Sequence, residues 1–259
     1  MNTTIVIPCY NEGERLNVDT FETFSRAHPH IGFLFVDDGS LDRTKDVLKS
    51  FKEKFRCDVL SLSKNSGKAE AVRQGFLKAL LSNPQFVGFW DADLATPLTE
   101  IPRFIELLTE KPKLSLVMGA RVKLLGRTIE RNAARHYLGR IFATAASLTL
   151  GIAVYDTQCG AKLFRVTNNL NGLFTKPFLT RWLFDIEIMA RMMQSASMSN
   201  QLVHRQKFAD ESIYELPLLE WRDIKGSKVK PADFFIAFFE LLRLYRRYPR
   251  RVRHSPERG

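Results

Sequence analysis

Two aspartates follow an apolar run in the segment FVGFWDADLATP, which spans residues 86–97. The run is typical of a buried strand, and Asp91 and Asp93 stand at its carboxyl end. If the chain stays extended there, residues two apart point the same way, so both carboxylates would share one side. Proteins commonly hold Mg²⁺ or Mn²⁺ with carboxylates while substrate phosphates supply further ligands. The spacing therefore predicts that Asp91 and Asp93 bind one of these metals, although an isolated Asp-x-Asp also occurs in many turns.

Three more polar clusters support this interpretation, because they too stand next to predicted strands or helices. VDDGS follows an apolar run that begins at Phe33, NSGKAEA opens a predicted helix at Asn65, and DTQCGAK begins at Asp156. Taken alone, VDDGS is more typical of a turn, and a solvated lysine at a helix start explains Lys68 of NSGKAEA equally well. The functional interpretation therefore depends on the clusters occurring together.

Apolar runs alternate with helical segments along the first half of the chain. This rhythm predicts an α/β fold with βαβ units and a mostly parallel central sheet, covered by helices on both faces. Ligands bind beyond the carboxyl ends of such strands, so the polar clusters are expected to form one site. No G-x-G-x-x-G follows the first strand, and Ala69 stands where a Walker loop needs Ser or Thr, which disfavours nicotinamide, flavin and P-loop enzymes. The predicted strands cover residues 3–7, 33–36, 58–62, 86–90 and 114–120, and the predicted helices end near residues 27, 55, 81 and 109.

Composition indicates one α/β domain with an anionic partner. The 259 residues are 45% hydrophobic, which suits a single domain with a large core. A net charge of +11 and a pI of about 9.7 favour nucleic acid, nucleotide phosphates or an acidic membrane surface as the partner. The three cysteines are scattered, so neither disulfides nor a zinc site is expected, which suits a cytoplasmic protein. No signal peptide and no transmembrane helix are predicted.

The motifs at the strand ends resemble those of a known family. IVIPCYNE, VDDGS, NSGKAEAVRQG and DADL are similar to the nucleotide-sugar half of family 2 glycosyltransferases, which have the GT-A fold. The resemblance implies an enzyme that breaks the bond between the anomeric carbon of a sugar and a nucleoside diphosphate. A bound Mg²⁺ or Mn²⁺ would neutralise charge on the leaving diphosphate. The resemblance also implies that Asp93 is catalytic, and that Asp91 and Asp93 hold the ribose and the metal–diphosphate. Lys68 would lie near the nucleotide. The nucleoside would be lined by Pro8, Tyr10, Glu12 and Asp37, with Asp37 on the base.

Basic residues are concentrated after the last of these strands. Arg131, Arg135 and, less regularly, Arg140 recur at helical spacing, and Arg121 ends the strand before them. The apolar residues 141–154 follow. An ordinary amphipathic helix with a solvated face would explain this pattern. The alternative is a phosphate clamp formed by Arg121, Arg131 and Arg135 beside an apolar groove, which suits a lipid phosphate because arginine's fork matches phosphate oxygens.

Three segments of the second half resemble polyprenyl- and dolichyl-phosphate glycosyltransferases, particularly the dolichyl-phosphate beta-glucosyltransferase branch. They are DTQCGAKLF, RWLFDIEIMAR and WRDIKGSKV. The resemblance implies inverting transfer of a hexose to a polyisoprenoid phosphate, with UDP-glucose as the best guess for the donor and the choice between UDP and GDP left open. Ala95 after DADL disfavours the mannose-type branch. By this resemblance Gln158 and Gly160 belong to the wall of the active site, Asp185 is a catalytic residue on the acceptor side, and Lys228 reaches the donor phosphates.

The last informative segment, residues 232–254, combines aromatic and basic side chains. Its apolar residues recur at helical spacing, and six arginines crowd its end. A helix packed on the domain with a solvated basic end would explain the pattern. The alternative is an interfacial helix on an anionic membrane surface, which suits a lipid acceptor. We therefore expect a GT-A domain over residues 1–230, a basic amphipathic C-terminal helix and tail over residues 231–259, and a peripheral position on the cytoplasmic face of a membrane.

Two other functions stay open on the sequence alone. A family 2 transferase could instead add its sugar to a saccharide hydroxyl, for which Asp185 would be the general base. A basic nucleic-acid-binding protein would also explain the net charge, but no recognition module is found and the arginines cluster near an apolar groove and tail. The sequence therefore favours the enzyme without a nucleic acid partner, and it leaves the oligomeric state open.

Overall fold

A seven-stranded sheet forms the centre of the computed structural model, which describes residues 2–130, 133–198, 205–224 and 231–248. Its strands are β1 (Thr3–Cys9), β2 (Ile31–Asp37), β3 (Cys57–Ser61), β4 (Phe86–Trp90), β5 (Leu116–Ala120), β7 (Ala161–Arg165) and β8 (Ile213–Pro217), while β6 (Thr128–Glu130) and β9 (Glu220–Arg222) pair separately. The helices are α1 (Val18–Ala27), α2 (Thr44–Lys54), α3 (Lys68–Leu80), α4 (Ile101–Glu110), α5 (Ala133–Leu150), α6 (Leu170–Thr175), α7 (Phe184–Met198), α8 (Arg205–Ser212) and α9 (Pro231–Arg247).

The first four strands form the predicted parallel half of the sheet. Across the sheet the order is β3-β2-β1-β4-β7-β5-β8, and β1 lies parallel to both β2 and β4, with Val6 opposite Leu34 on one side and Phe89 on the other. Helices α1, α2 and α3 make the connections between these strands. The predicted α/β fold is therefore confirmed, with element ends that differ from the predicted ones by a few residues.

Strand β7 is the exception to the parallel arrangement. It lies antiparallel between β4 and β5, with Trp90 opposite Ala161, and β8 then adds parallel to β5. Because β7 runs in the opposite direction, the DTQCGA segment before it arrives at the carboxyl end of β4. A backbone hydrogen bond of 3.0 Å from Asp91 N–H to the Gly160 carbonyl fixes that junction.

Alternating residues of β1 face two apolar cores, one on each side of the sheet. Val6 packs in the core that contains Phe76 of α3, whereas Ile5 and Ile7 pack in the core that contains Phe21 of α1. Helices α1, α2 and α4 cover the face of the sheet with the Phe21 core, and helices α3 and α5 to α9 contribute to the Phe76 core on the other face. This alternation follows from the period of two along a strand.

The C-terminal helix α9 packs on the domain through one face. Ala237, Leu241, Leu244 and Tyr248 are buried at helical spacing in the same core as α3 and α7. The packed helix of the sequence analysis is thus present, and the expected division at residue 230 stays a prediction. Within the described ranges no helix combines the length and the apolar character that crossing a membrane requires.

Candidate active site

The two aspartates after β4 lie on a turn, so the extended chain assumed from their spacing is wrong. Leu94 N–H donates to the Asp91 carbonyl at 3.2 Å, and Leu94 has a φ of 55°. The buried Trp90 indole donates to the Thr96 carbonyl at 2.7 Å, and this hydrogen bond helps to hold the chain in the turn. The two carboxylates nevertheless interact, since burial and then the negative charge of Asp91 raise the pKa of Asp93.

Lys68 supplies positive charge to this pair. It is the first residue of α3, and its ammonium group forms an ion pair with Asp91 Oδ1. Burial opposes the charge of Lys68, but the carboxylates of Asp91 and Asp185 outweigh it and raise the pKa of Lys68 above its usual value. The structure therefore brings Lys68, Asp91 and Asp93 together, and it adds Asp185 to the same electrostatic neighbourhood.

Gly160 fits against the Asp91 carboxylate with no room for a side chain. A Cβ at this position would lie 1.9 Å from Asp91 Oδ2, which is far inside van der Waals contact. The structure thus places Gly160 against Asp91, while Gln158, two residues earlier, is exposed. Their expected place in the wall of the active site stays a prediction. Gly160 thereby sets where the Asp91 carboxylate can lie.

Replacing Gly160 by alanine should therefore impair the site without unfolding the protein. We expect Gly160→Ala to lower kcat/KM for transfer by about 10- to 100-fold, because displaced supporting groups at a metal or reaction centre typically cost this much. Gly172→Ala is the matched control, since a Cβ there meets no atom within 4 Å. Steady-state rates at varied donor concentration, with melting curves for both variants, make the measurement. Equal rates for Gly160→Ala and Gly172→Ala would contradict the expectation.

Asp185, in the first turn of α7, is paired with a lysine that the sequence analysis missed. Lys162 Nζ of β7 lies 2.7 Å from Asp185 Oδ1, and their side chains are 1% and 8% exposed. The contact is an ion pair without an aligned hydrogen bond to Oδ1, while Lys162 donates to the Cys159 carbonyl at 2.7 Å. The sequence signal that could have identified Lys162 is a charged residue inside the otherwise apolar strand AKLF. Among the described residues, Lys162 is the ion-pair partner of Asp185, and no hydrogen bond or ion pair joins Asp185 to Arg181.

A second group of carboxylates lies at the ends of β1 and β2. Asp37 is fully buried, its Oδ1 accepts the Ser40 N–H at 3.0 Å, and its Oδ2 has no hydrogen-bond partner among the described residues. Asp38 accepts the N–H groups of Ser66 and Gly67 at 2.8 and 2.7 Å, which joins VDDGS to the loop before Lys68. Of the other residues expected at the nucleoside, Glu12 is buried, while Pro8 and Tyr10 are half-buried beside it in the chain.

Arg121 is held by a carboxylate of the protein. Its guanidinium forms a bidentate ion pair with Asp156 at 2.6 and 2.7 Å, and Glu215 accepts the backbone N–H groups of Tyr155 and Asp156. Burial lowers the pKa of Arg121, but the charge of Asp156 outweighs this effect and raises the pKa above its usual value. These contacts anchor the DTQCGA segment, so Arg121 has a structural partner in addition to the acceptor role expected for it, which stays a prediction.

The remaining expected contacts lie outside what the structure describes. Arg131 and Lys228 fall outside the described residues, and Arg135 lies in α5 with a side chain that is not described. Part of the apolar stretch 141–154 packs in the core through Ala146, Leu150 and Ile152.

Cys159 is fully buried, and burial first of all raises the pKa of its thiol to about 11, which agrees with a packed residue rather than a nucleophile.

The fold and the site together define a class of protein. A mostly parallel sheet with acidic residues after β1, β2 and β4, and a reversed strand that closes the site, is the GT-A fold of enzymes that use nucleotide sugars. The chain belongs to the family "Glycosyl transferase family 2", whose sequence model matches residues 4–169. It is therefore a glycosyltransferase.

Several curated relatives are similar over most of the chain. A dolichyl-phosphate beta-glucosyltransferase of Trichomonas vaginalis is 30% identical over 255 residues, covering 93% of this chain and 70% of the relative. The enzyme of the same name from Saccharomyces cerevisiae is 30% identical over 87% of this chain and 68% of its own length. The human one is 29% identical over 88% of this chain and 69% of its own length. The second half of the chain, which carries DTQCGAKLF and RWLFDIEIMAR, is thus included in the similarity.

Solved structures support the fold. Glucosyl-3-phosphoglycerate synthase from Mycobacterium tuberculosis, in complex with Mn²⁺, UDP-glucose and phosphoglyceric acid, superposes with a TM-score of 0.61 at 18% identity, covering 95% of this chain and 79% of that one. Staphylococcus aureus TarS in complex with UDP superposes with a TM-score of 0.57 at 17% identity, covering 94% of this chain and 64% of that one. At this identity the comparison establishes the architecture alone.

Proposed function

We propose that this enzyme transfers glucose, with inversion, from UDP-glucose to dolichyl phosphate or a similar polyprenyl phosphate at the cytoplasmic face of a membrane. The observation that carries the proposal is the identity of about 30% to dolichyl-phosphate beta-glucosyltransferases over most of the chain. The choice of UDP is supported by the UDP-bound neighbours of the same fold.

The nucleoside would bind at the ends of β1 and β2. Asp37 Oδ2 is a buried carboxylate oxygen that has no hydrogen-bond partner in the described structure, although Lys45 Nζ forms an ion pair with it at 4.0 Å. A donor group of a ligand would supply the hydrogen bond that this oxygen lacks. The N–H of a pyrimidine base such as uracil is a suitable donor. Pro8, Tyr10 and Glu12 would line the same pocket.

The donor diphosphate would bind at Asp91 and Asp93 together with Mg²⁺ or Mn²⁺. The residues fit such a cation, because burial and the adjacent charge of Asp91 raise the pKa of Asp93, and a divalent ion would relieve both effects. Among the described residues, no group of three or more His, Cys, Asp or Glu side chains gathers at one point. The bound ion would supply charge neutralisation to the departing diphosphate. Lys68, already paired with Asp91, and Lys228 would add fixed positive charge beside it.

The acceptor phosphate would be the nucleophile without help from a base. A phosphate monoester has a second pKa of about 6, so it is largely a dianion near neutral pH. It needs positioning and charge screening, which Arg121, Arg131 and Arg135 would provide. Asp185, fixed by Lys162 at 2.7 Å, would then orient groups at the site rather than accept a proton.

Transfer assays with a panel of nucleotide sugars test the proposal. The protein is incubated with polyprenyl phosphate, divalent metal and each donor, and the lipid extract is examined by mass spectrometry. We expect a hexosyl polyprenyl phosphate from UDP-glucose at a higher rate than from GDP-mannose. Transfer to a saccharide hydroxyl with no glycolipid would favour the alternative acceptor. Retention on DNA but not on anionic vesicles would favour the nucleic acid alternative.

A further inference from the structure

Helix α9 has a second apolar surface that its packing on the domain does not use. Outside the buried row of Ala237, Leu241, Leu244 and Tyr248, five large apolar side chains are exposed around the rest of the helix. We call them the outer face of α9, and they are Ile236 (46% exposed), Phe238 (63%), Phe239 (67%), Leu242 (37%) and Tyr245 (51%). Solvent exposure of so many large apolar side chains on one 17-residue helix is typical of an interaction site.

Basic residues border this outer face. Arg243, Arg246 and Arg247 are all exposed, and their spacing places them in a row along the helix beside Phe239 and Leu242. Arg243 also donates to the Leu179 carbonyl at 3.1 Å, so the row stays next to the domain. Arg243 and Arg246 follow Phe239 and Leu242 at i+4, so the basic side chains continue the apolar ones along the same exposed side of the helix. Exposed apolar and basic side chains on one helix are typical of a helix that lies in the plane of an anionic lipid surface.

We propose that the outer face of α9 docks the enzyme on anionic lipid, with its phenylalanines in the apolar boundary and its arginines at the headgroups. The charge of the row selects this occupant, because an anionic surface complements three arginines and a purely apolar partner would not. The proposal deepens the proposed function and rests on it for the identity of the acceptor, since a lipid phosphate must be reached at a membrane.

Glu240 of the same helix connects this surface to the site. Its carboxylate accepts the consecutive backbone N–H groups of Arg181, Trp182 and Leu183 at 2.7, 3.0 and 3.0 Å, just before α7 begins. Because Asp185 lies in the first turn of α7, docking through α9 would hold the acceptor side of the site close to the lipid surface.

The Arg181 side chain extends the connection to the donor loop. It donates to Asn65 Oδ1 at 3.1 Å and packs on Gly67, where an added Cβ would lie 2.7 Å from Arg181 Nε. Gly67 has a φ of 92° and precedes Lys68 directly. The segment that Glu240 holds therefore touches the loop before Lys68 and leads directly into the helix that carries Asp185.

Sedimentation with vesicles tests the docking surface without any substrate. The full chain is mixed with vesicles of phosphatidylcholine containing phosphatidylglycerol, or of phosphatidylcholine alone, and binding is expected only to the anionic ones. Arg246→Gln with Arg247→Gln should weaken binding by about 30-fold, since each basic residue contributes about 1 kcal/mol at an anionic leaflet. Phe238→Ser with Phe239→Ser should weaken it by about tenfold or more.

A matched double variant on another helix distinguishes a specific effect of the outer face from a general effect of lower net charge. Lys49→Gln with Lys52→Gln removes the same charge from the exposed surface of α2 and should leave vesicle binding near the wild-type level. An equal loss for this pair, or wild-type binding by both α9 variants, would overturn the proposal. So would a dimer in solution that the phenylalanine variant dissociates while vesicle binding persists.

Transfer assays keep this proposal distinct from the proposed function. The α9 variants should lose transfer to acceptor held in vesicles but keep transfer to acceptor dispersed in detergent. Equal losses with both forms of acceptor would overturn the docking role. If the wild type binds anionic vesicles through α9 yet makes no glycolipid from any donor, the docking surface stands and the proposed function fails.

Discussion

Asp93→Asn is expected to lower the rate of transfer by roughly 10²- to 10³-fold, because the charge stabilisation at a metal site is worth several kcal/mol and each 1.36 kcal/mol is a factor of ten. Asparagine keeps the shape of the side chain, including an oxygen that can accept the Ala95 N–H, which Asp93 accepts at 3.1 Å. It loses the negative charge that would attract the divalent ion. The rate loss should therefore arise from the missing charge rather than from a changed fold.

The stability of this variant can be anticipated from the pKa of Asp93. Burial raises that pKa in the folded state, so the folded protein binds the proton more tightly than the unfolded chain does. The ionised carboxylate at neutral pH then costs stability, and its cost grows as pH rises through the usual carboxyl range. A neutral asparagine removes this cost, so the melting temperature of Asp93→Asn should equal or exceed that of the wild type.

Steady-state assays and chelation check the expectation. Asp58→Asn, which changes an exposed carboxylate on β3, is the matched control and should keep wild-type activity. Chelator should abolish wild-type activity, and added Mg²⁺ or Mn²⁺ should restore it. Full activity in excess chelator would show that Asp91 and Asp93 do not work through a metal.

Breaking the buried pair between Lys162 and Asp185 should have the other large effect. Removing one partner leaves a charge in a site where the side chains are only 1% and 8% exposed, and such losses typically cost about 3 to 5 kcal/mol. We expect Lys162→Met alone to destabilise the protein by that amount. Combining it with Asp185→Asn should recover much of the loss, because no unpaired charge then remains. Denaturant unfolding of the two single variants and the double variant measures the coupling.

The chemical role of Asp185 is tested with the single variant at a temperature where it stays folded. If the acceptor is a phosphate dianion, Asp185→Asn should slow single-turnover transfer by less than the 10² to 10⁴ that an obligatory general base contributes. Donor binding is measured separately, so that a weaker donor complex is not mistaken for a chemical effect. A loss at the top of that range, with a wild-type rate that rises with pH through the acidic region, would favour the hydroxyl acceptor.

The sequence alone predicted the alternating first half of the fold and the edge of the sheet at which its polar clusters meet. The alternation of apolar runs with helical segments predicts β1 to β4 and the helices between them, because the periods of two and 3.6 residues are local properties of the chain. Parallel strands connected in this way bring their carboxyl ends to one edge, so VDDGS, NSGK and DAD had to lie near one another.

The tertiary structure decided which charged residues contact each other. Lys162 meets Asp185, and Arg121 meets Asp156, across 23 and 35 positions of sequence, because β7 enters the sheet antiparallel between β4 and β5. Local periodicity contains no information on that insertion, and an arginine has the same sequence signature whether it faces a ligand or a carboxylate. The division of α9 into a buried and an exposed apolar side was also decided by the tertiary structure. Packing beside α5 in the core buries Leu241 and Leu244 and leaves Phe238 and Phe239 outside.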